Sequence, residues 1–233
     1  MNLLDMFLKG GIIMYPILLC SIVVVYITIE RVLVLRKAQM DVGQFMMKLK
    51  SIFHHGDLKG VLTFCSQKDA PIANIIRVGI VKHDQGAEKV REAVEDAGRA
   101  EVYHLEKHLA ILASIAGIGP MLGFLGTVTG MVSAFRTIET LAGSVNPGDL
   151  AGGVWEALLT TVFGLVVGIP AYALYNYFVS RVARFVYEME VTTTEFLDLL
   201  QQPESRSAPA KVHDDQASSS SLVLEDDAYF RKK

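Results

Sequence analysis

Three long apolar stretches constrain this chain more than any other feature: Gly11 to Ile29, Leu109 to Phe135, and Val154 to Val179, the last interrupted by a single charge at Glu156. Each can cross roughly 30 Å of hydrocarbon at about 1.5 Å per residue. Backbone amides in lipid must find partners within their own segment, so stretches of this kind fold as helices. A hydrophobic content of 51% and a mean hydropathy of +0.35 are too high for an ordinary soluble domain of 233 residues. The expected fold class is an all-α membrane protein with three transmembrane helices. A secretory signal is the alternative reading of the first stretch, but no A-x-A site follows it and Leu19 before Cys20 spoils a lipoprotein processing site. A retained helix is expected.

Orientation follows from lysine and arginine. Residues 1–10 carry one, residues 30–108 thirteen, residues 136–153 one (Arg136) and residues 180–233 seven. The middle segment and the tail are therefore expected in the cytoplasm, with the N-terminus and the short loop outside: N-out, C-in. The organisation reads as an N-terminal tail and first span (1–35), a cytoplasmic helical domain (36–108), a second span (109–135), a periplasmic loop (136–153), a third span (154–179), a cytoplasmic helix extension (180–202) and a tail (203–233).

Within 36–108, Val42, Phe45, Met46, Leu49 and Phe53 recur at helical spacing, Gly56-Asp57 marks a break, and Leu58 to Cys65 makes another short turn or two. From Gly86 a charged amphipathic pattern through Val90, Val94, Val102, Leu105 and Leu109 predicts one helix continuing into the second span. The third span is predicted to run on through Phe185, Met189 and Phe196 and to end before Pro203. Prolines, Ser218 to Ser221 and Glu225-Asp226-Asp227 give residues 203–233 the composition of a disordered tail. Its Leu222-Val223-Leu224 and Tyr229-Phe230 are candidate docking residues, with a solvated tail the simpler reading.

Several function classes lose support. The net charge is only −3 and no basic run is interleaved with aromatics, so no nucleic-acid partner is expected. Cys20 and Cys65 form neither a disulfide framework nor a CxxC site. His104 and His108 share a helical face, but Glu106 is not placed as in HExxH, so they read as a polar collar at a helix foot rather than a metal or pH-sensing site. No nucleophile-base pair or phosphate loop appears, so no enzymatic activity and no cofactor is expected.

The spans themselves carry a pattern. Gly119, Gly123, Gly126 and Gly130 lie along one stripe of the second, and Ala157, Thr161, Gly164, Gly168 and Ala171 make a second small face on the third. Such stripes let helices touch closely, and generic packing is enough to explain them. Polar atoms add more. Thr127 lies about 12 Å inside the outer end of the second span and Thr161 about 10 Å inside that of the third, so antiparallel helices hold the hydroxyls at similar depth. Glu156, one turn before Thr160, sits near the same mouth, where an ionisable group is costly unless it lines water or meets a partner. A proton conductor needs a titratable group near mid-bilayer and the chain has none, so it reads as half of a site. A second polypeptide would bring the acid, whose pKa would rise on desolvation and fall when its charged form is hydrogen-bonded.

Pro120-Met121-Leu122-Gly123-Phe124-Leu125-Gly126-Thr127-Val128-Thr129-Gly130-Met131, followed by Phe135, resembles the signature of the MotA/TolQ/ExbB proton-channel family. So does Glu156-Ala157-Leu158-Leu159-Thr160-Thr161 with Gly164-Leu165, Ile169-Pro170-Ala171 and Tyr175-Asn176. The opening Gly10-Gly11, Met14, Pro16 and Glu30-Arg31 is ExbB-like. The resemblance covers roughly residues 10–200. It implies a homopentamer whose second and third spans line a central pore, the first span outside and tall helices reaching into the cytoplasm. It also implies two copies of a single-span partner, resembling ExbD or TolR, that supply an ion-carrying aspartate. Thr127 and Thr161 match the family's pore hydroxyls and Glu156 its periplasmic-side glutamate; Thr160 belongs to the same motif. The implied setting is the bacterial inner membrane, the implied ion H+, and the implied downstream partner a TonB-like or TolA-like protein. Family members with a longer N-terminal extension differ from this chain, where about ten residues precede the first span; ExbB-like and TolQ-like roles both stay open. The rival readings are a self-contained ion channel or transporter, for which no inverted repeat is visible, a scaffold for other membrane proteins, and a gliding or flagellar-type stator of the same family.

Overall fold

A computed structural model describes residues 6–7, 9–55, 57–140 and 147–201. The 203–233 tail, with its candidate docking residues, lies outside the described residues. The regular elements are helical: α1 (Met14–Ala38), α2 (Val42–His54), α3 (Leu58–Ser66), α4 (Pro71–Val81), a 3-10 turn at His83–Gln85, α5 (Ala87–Glu106), α6 (Leu109–Thr140) and α7 (Pro147–Gln201). Three helices, in α1, α6 and α7, are long and apolar enough to cross a membrane. A belt of exposed apolar side chains marks the surface that lipid or neighbouring protein must cover, including Ile22 and Tyr26 on α1, Met121 and Phe124 on α6, and Val166 and Ile169 on α7.

The short helices begin where local chemistry supplies a start. Asp41 accepts the Gln44 amide at 3.0 Å to cap α2, and Asp57 accepts the Gly60 amide at 2.8 Å to cap α3. Pro71 opens α4, where its missing N–H costs nothing. Its apolar residues recur at helical spacing, although the helix is not among the elements expected from sequence. It packs Ile72, Ile75, Ile76 and Ile80 into a core shared with Leu49, Val61, Cys65, Val94 and Phe196, and Gly79 lets the Phe196 ring and Val94 come close. Asn74 donates to Glu101 at 3.1 Å, tying α4 to α5, while Lys50 pairs with Glu195 between α2 and α7.

α6 and α7 form an antiparallel hairpin held by backbone proximity. Gly119 faces Gly164 and Gly168, Gly123 faces Thr160 and Thr161, Gly126 faces Thr160, and Gly130 faces Gly153 and Ala157. A Cβ on Gly164 would stand 2.6 Å from the Gly119 carbonyl oxygen and 2.9 Å from the Gly123 Cα, both backbone atoms that cannot swing away. Gly168 receives the ring of Pro120, a proline inside α6. α7 runs without a gap from Pro147 to Gln201, through Phe185, Met189 and Phe196, as its pattern predicts.

The expected single helix from Gly86 into the second span is corrected. α5 ends at Glu106, Lys107 takes an extended conformation (φ −49°, ψ 137°), and His108 adopts φ +66° before α6 begins. No glycine or proline marks this break. A non-glycine residue in that region is strained and persists only where its surroundings hold it; the restraint comes from α1, described below.

If the hairpin depends on backbone contact, substitutions within α6 and α7 should differ sharply by face. Gly164→Ala is expected to cost roughly 1–3 kcal/mol through overpacking, whereas Gly117→Ala, whose added Cβ meets open space, should leave the thermal midpoint of the purified chain nearly unchanged. Equal shifts for the two variants would contradict the packing.

Candidate functional site

The hydroxyls on the hairpin divide by what they face. Thr160 is buried in the seam against Gly126 and donates to the Ala157 carbonyl at 2.8 Å. Thr161 bridges the two helices, donating to the Gly123 carbonyl at 3.0 Å. Thr127 stands half-buried on the flank one turn along α6 and donates to the Phe124 carbonyl at 2.6 Å rather than to Thr161. A hydroxyl bonded to its own helix carries no unmet donor into lipid. The seam therefore brings Thr160 and Thr161 together with Gly119, Gly123, Gly126, Gly130, Gly164 and Gly168, and leaves Thr127 beside them.

Glu156 lies one turn before Thr160 on α7, half-buried, with its carboxylate against Gly11 at the start of α1. Gly11 has φ +68°, and a Cβ there would overlap the Glu156 Oε1. The spacing of Glu156 from Thr160 was readable on the helix; its neighbour on α1 was not. The only local signal was the Gly10-Gly11 pair ahead of an apolar run.

At the other end of α1 a polar cluster surrounds Arg31, which is 2% exposed. The break at Lys107-His108 deprives the His104 and Leu105 carbonyls of their helical donors. Arg31 Nη1 donates to both, at 3.2 Å each, and Nη2 to Glu30 Oε1 at 2.9 Å. The second Glu30 oxygen meets His108 Nδ1 at 2.6 Å. Arg31 Nε is the buried side-chain nitrogen left without a partner among the described residues. Burial raises the Glu30 carboxyl, but hydrogen bonds and charge from His108 and Arg31 outweigh it and hold the group below the ordinary carboxylate range. The collar expected around His108 is thus an ion-pair and capping cluster that fixes the helix break. Deep in the α2–α4 core, burial pushes the Cys65 thiol up to about 11, opposed in part by Arg77, which keeps it unreactive at neutral pH. Among the described residues no cluster of His, Cys, Asp and Glu is placed to hold a metal.

Residues 67–191, from before α4 to well along α7, match the MotA/TolQ/ExbB proton channel family. The chain belongs to this family. Among its relatives is an ExbB homolog of Methanothermobacter thermautotrophicus, 28% identical over 82% of this chain and 67% of its own length. The biopolymer transport protein exbB1 of Vibrio cholerae is 28% identical over 70% of this chain and 73% of its own length. The Tol-Pal system protein TolQ of Pseudomonas aeruginosa is 32% identical over 52% of each chain. Membership in a proton channel family, with three helices able to span the bilayer, makes this a multi-pass membrane protein. The matched region holds the whole Thr127, Glu156, Thr160 and Thr161 constellation and the glycine seam; α1, with Gly11 and Arg31, lies outside it.

Removing Arg31 would strand two carbonyls and Glu30. Arg31→Leu is expected to destabilise the chain by roughly 3 kcal/mol, read as a fall in thermal midpoint. Because the Glu30 carboxyl is held low in the fold, its contribution is present above the unfolded value and is lost as pH falls through the depressed one. The wild-type midpoint should therefore drop on acidification, and Glu30→Gln should flatten that part of the profile.

Proposed function

We propose that this chain is the ring subunit of a proton-driven motor of the bacterial inner membrane. Five copies surround a pore lined by α6 and α7, with N-out and C-in topology and α2–α5 in the cytoplasm. The observation that carries the reading is the combination of a hydroxyl-bearing, glycine-tight α6–α7 hairpin with the absence of any Asp, Glu, His, Lys or Arg between Leu109 and Phe135. A chain of this family without a mid-depth acid is completed by a partner that supplies one. That partner is a single-span protein of the ExbD or TolR type, two copies in the pore, each bringing an aspartate.

In this mechanism a proton enters from the periplasm past Glu156 and neutralises the partner aspartate beside Thr127 and Thr161. It leaves to the cytoplasm after the partner turns relative to the ring. Moving one charge through 100 mV yields about 2.3 kcal/mol. The partner's periplasmic domain passes that work to a TonB-like or TolA-like protein for outer-membrane transport or integrity. The relatives named for biopolymer transport support the ExbB-type role, and the TolQ relative supports the Tol-type role as the second reading.

The test is co-purification with an ExbD-type or TolR-type partner, native mass measurement, and proton flux in vesicles under an imposed potential. Thr161→Ala and Glu156→Ala should assemble at wild-type level with flux reduced at least about tenfold, the loss expected when an ion-stabilising group is removed. Thr161→Ser, which keeps the hydroxyl, should retain most of it. Undiminished flux in both alanine variants would refute the site, and full flux from this chain alone would refute the need for a partner.

A further inference from the structure

Glu156 is the one carboxylate within the three apolar stretches, and its seat is built by the turn that leads into α1. Its Oε1 occupies the space that a Cβ on Gly11 would fill, and its Cδ would lie 3.0 Å from that Cβ. Gly11 also has φ +68°, a backbone conformation that side chains rarely adopt. Two independent restrictions therefore fall on the same residue, one steric and one conformational. The neighbouring Gly10 differs: the atoms nearest a Cβ there belong to the Met14 side chain, and its backbone is not left-handed.

The start of α1 gives the carboxylate an electrostatic reason to stay. Ile13, at the N-cap, has no side-chain oxygen with which to cap the helix. The Met14 and Tyr15 amides already donate to the Gly11 and Ile12 carbonyls at 3.3 Å each and residue 16 is a proline, so what an acid meets at this terminus is the partial positive charge of the helix dipole. Glu156 comes from α7, one turn from Thr160 and next to the seam that holds Thr161. Its placement thus joins the outer end of α1 to the hydroxyl-bearing part of the hairpin.

We propose that Gly11 is a positioning residue for Glu156: its missing Cβ and left-handed backbone form the niche that seats the carboxylate at the start of α1. The functional part of this inference rests on the ion-pathway reading of Glu156; the contact itself does not. A larger residue at position 11 expels the carboxylate, loosens the start of α1 and moves the acid away from the mouth of the proposed pathway.

A double-mutant cycle on the full-length chain, purified with its partner and read by hydrogen exchange of the amides in residues 10–14, tests the contact. Gly11→Ala should speed exchange by about tenfold when Glu156 is present and by less than about twofold when Glu156 is already alanine. Glu156→Ala alone should also speed exchange at those amides, a result that does not require the Gly11 variant to fold. In Gly11→Ala, the shorter acid of Glu156→Asp should return part of the protection, because it vacates the space taken by the new Cβ. Equal effects of Gly11→Ala in both backgrounds would reduce Gly11 to a local turn residue and overturn the proposal, as would unchanged exchange in Glu156→Ala. Proton flux separates the two claims. Non-additive exchange with flux lowered in Gly11→Ala supports both, whereas non-additive exchange with full flux in Gly11→Ala and Glu156→Ala alike keeps the niche and overturns the functional role.

Discussion

The close approach of two helix backbones is the constraint on which the rest of this molecule depends. In lipid, apolar side chains gain little by meeting one another, so association rests on van der Waals contact and on hydrogen bonds that backbone proximity allows. The glycines of α6 and α7 provide that proximity, and the Thr161 hydroxyl uses it to reach the Gly123 carbonyl on the opposite helix. A single added carbon on the seam would lengthen this bond and separate Thr160 from Gly126. The packing device and the polar device are the same few residues.

α1 secures this hairpin at both ends by opposite means. Near Gly11 it receives an acid, Glu156, from α7; near Glu30 it contributes a base, Arg31, to the carbonyls left open between α5 and α6. Both contacts put charge at a helix terminus, against the positive end of the α1 dipole in one case and against carbonyls without helical donors in the other. The helix with the weakest amphipathic character thus has its ends fixed by polar chemistry, while its exposed middle, including Ile22 and Tyr26, offers no comparable anchor.

What the sequence revealed and what it hid follow from the range of the interactions. The three membrane helices, α2, α3 and the long run of α7 were legible because hydropathy and helical spacing are local properties. The glycine stripes were legible as faces, since positions 119, 123, 126 and 130 fall together on any helix, but which atoms they would meet was not. α4 was not read, although Ile72, Ile75, Ile76 and Ile80 recur at helical spacing behind Pro71; what lay beyond the sequence was its place in the core with Val94 and Phe196. The break at His108 was missed for a physical reason. Its strained backbone is held by Arg31 and Glu30, far away in the chain, and the break carries none of the usual punctuation. The Glu156 seat on Gly11 is likewise a pairing of distant residues, visible only once α1 is laid against α7.

The two arms of the hairpin differ in continuity. α7 is a single helix of 55 residues, about 80 Å long at helical rise, and it stays continuous past Pro170, where one intrahelical hydrogen bond is lost. The other arm has a joint at Lys107-His108, clamped from the side by an arginine. Any tilt passed along α6 must therefore cross a junction whose geometry rests on Arg31 and Glu30 of α1, whereas α7 passes it along one unbroken helix.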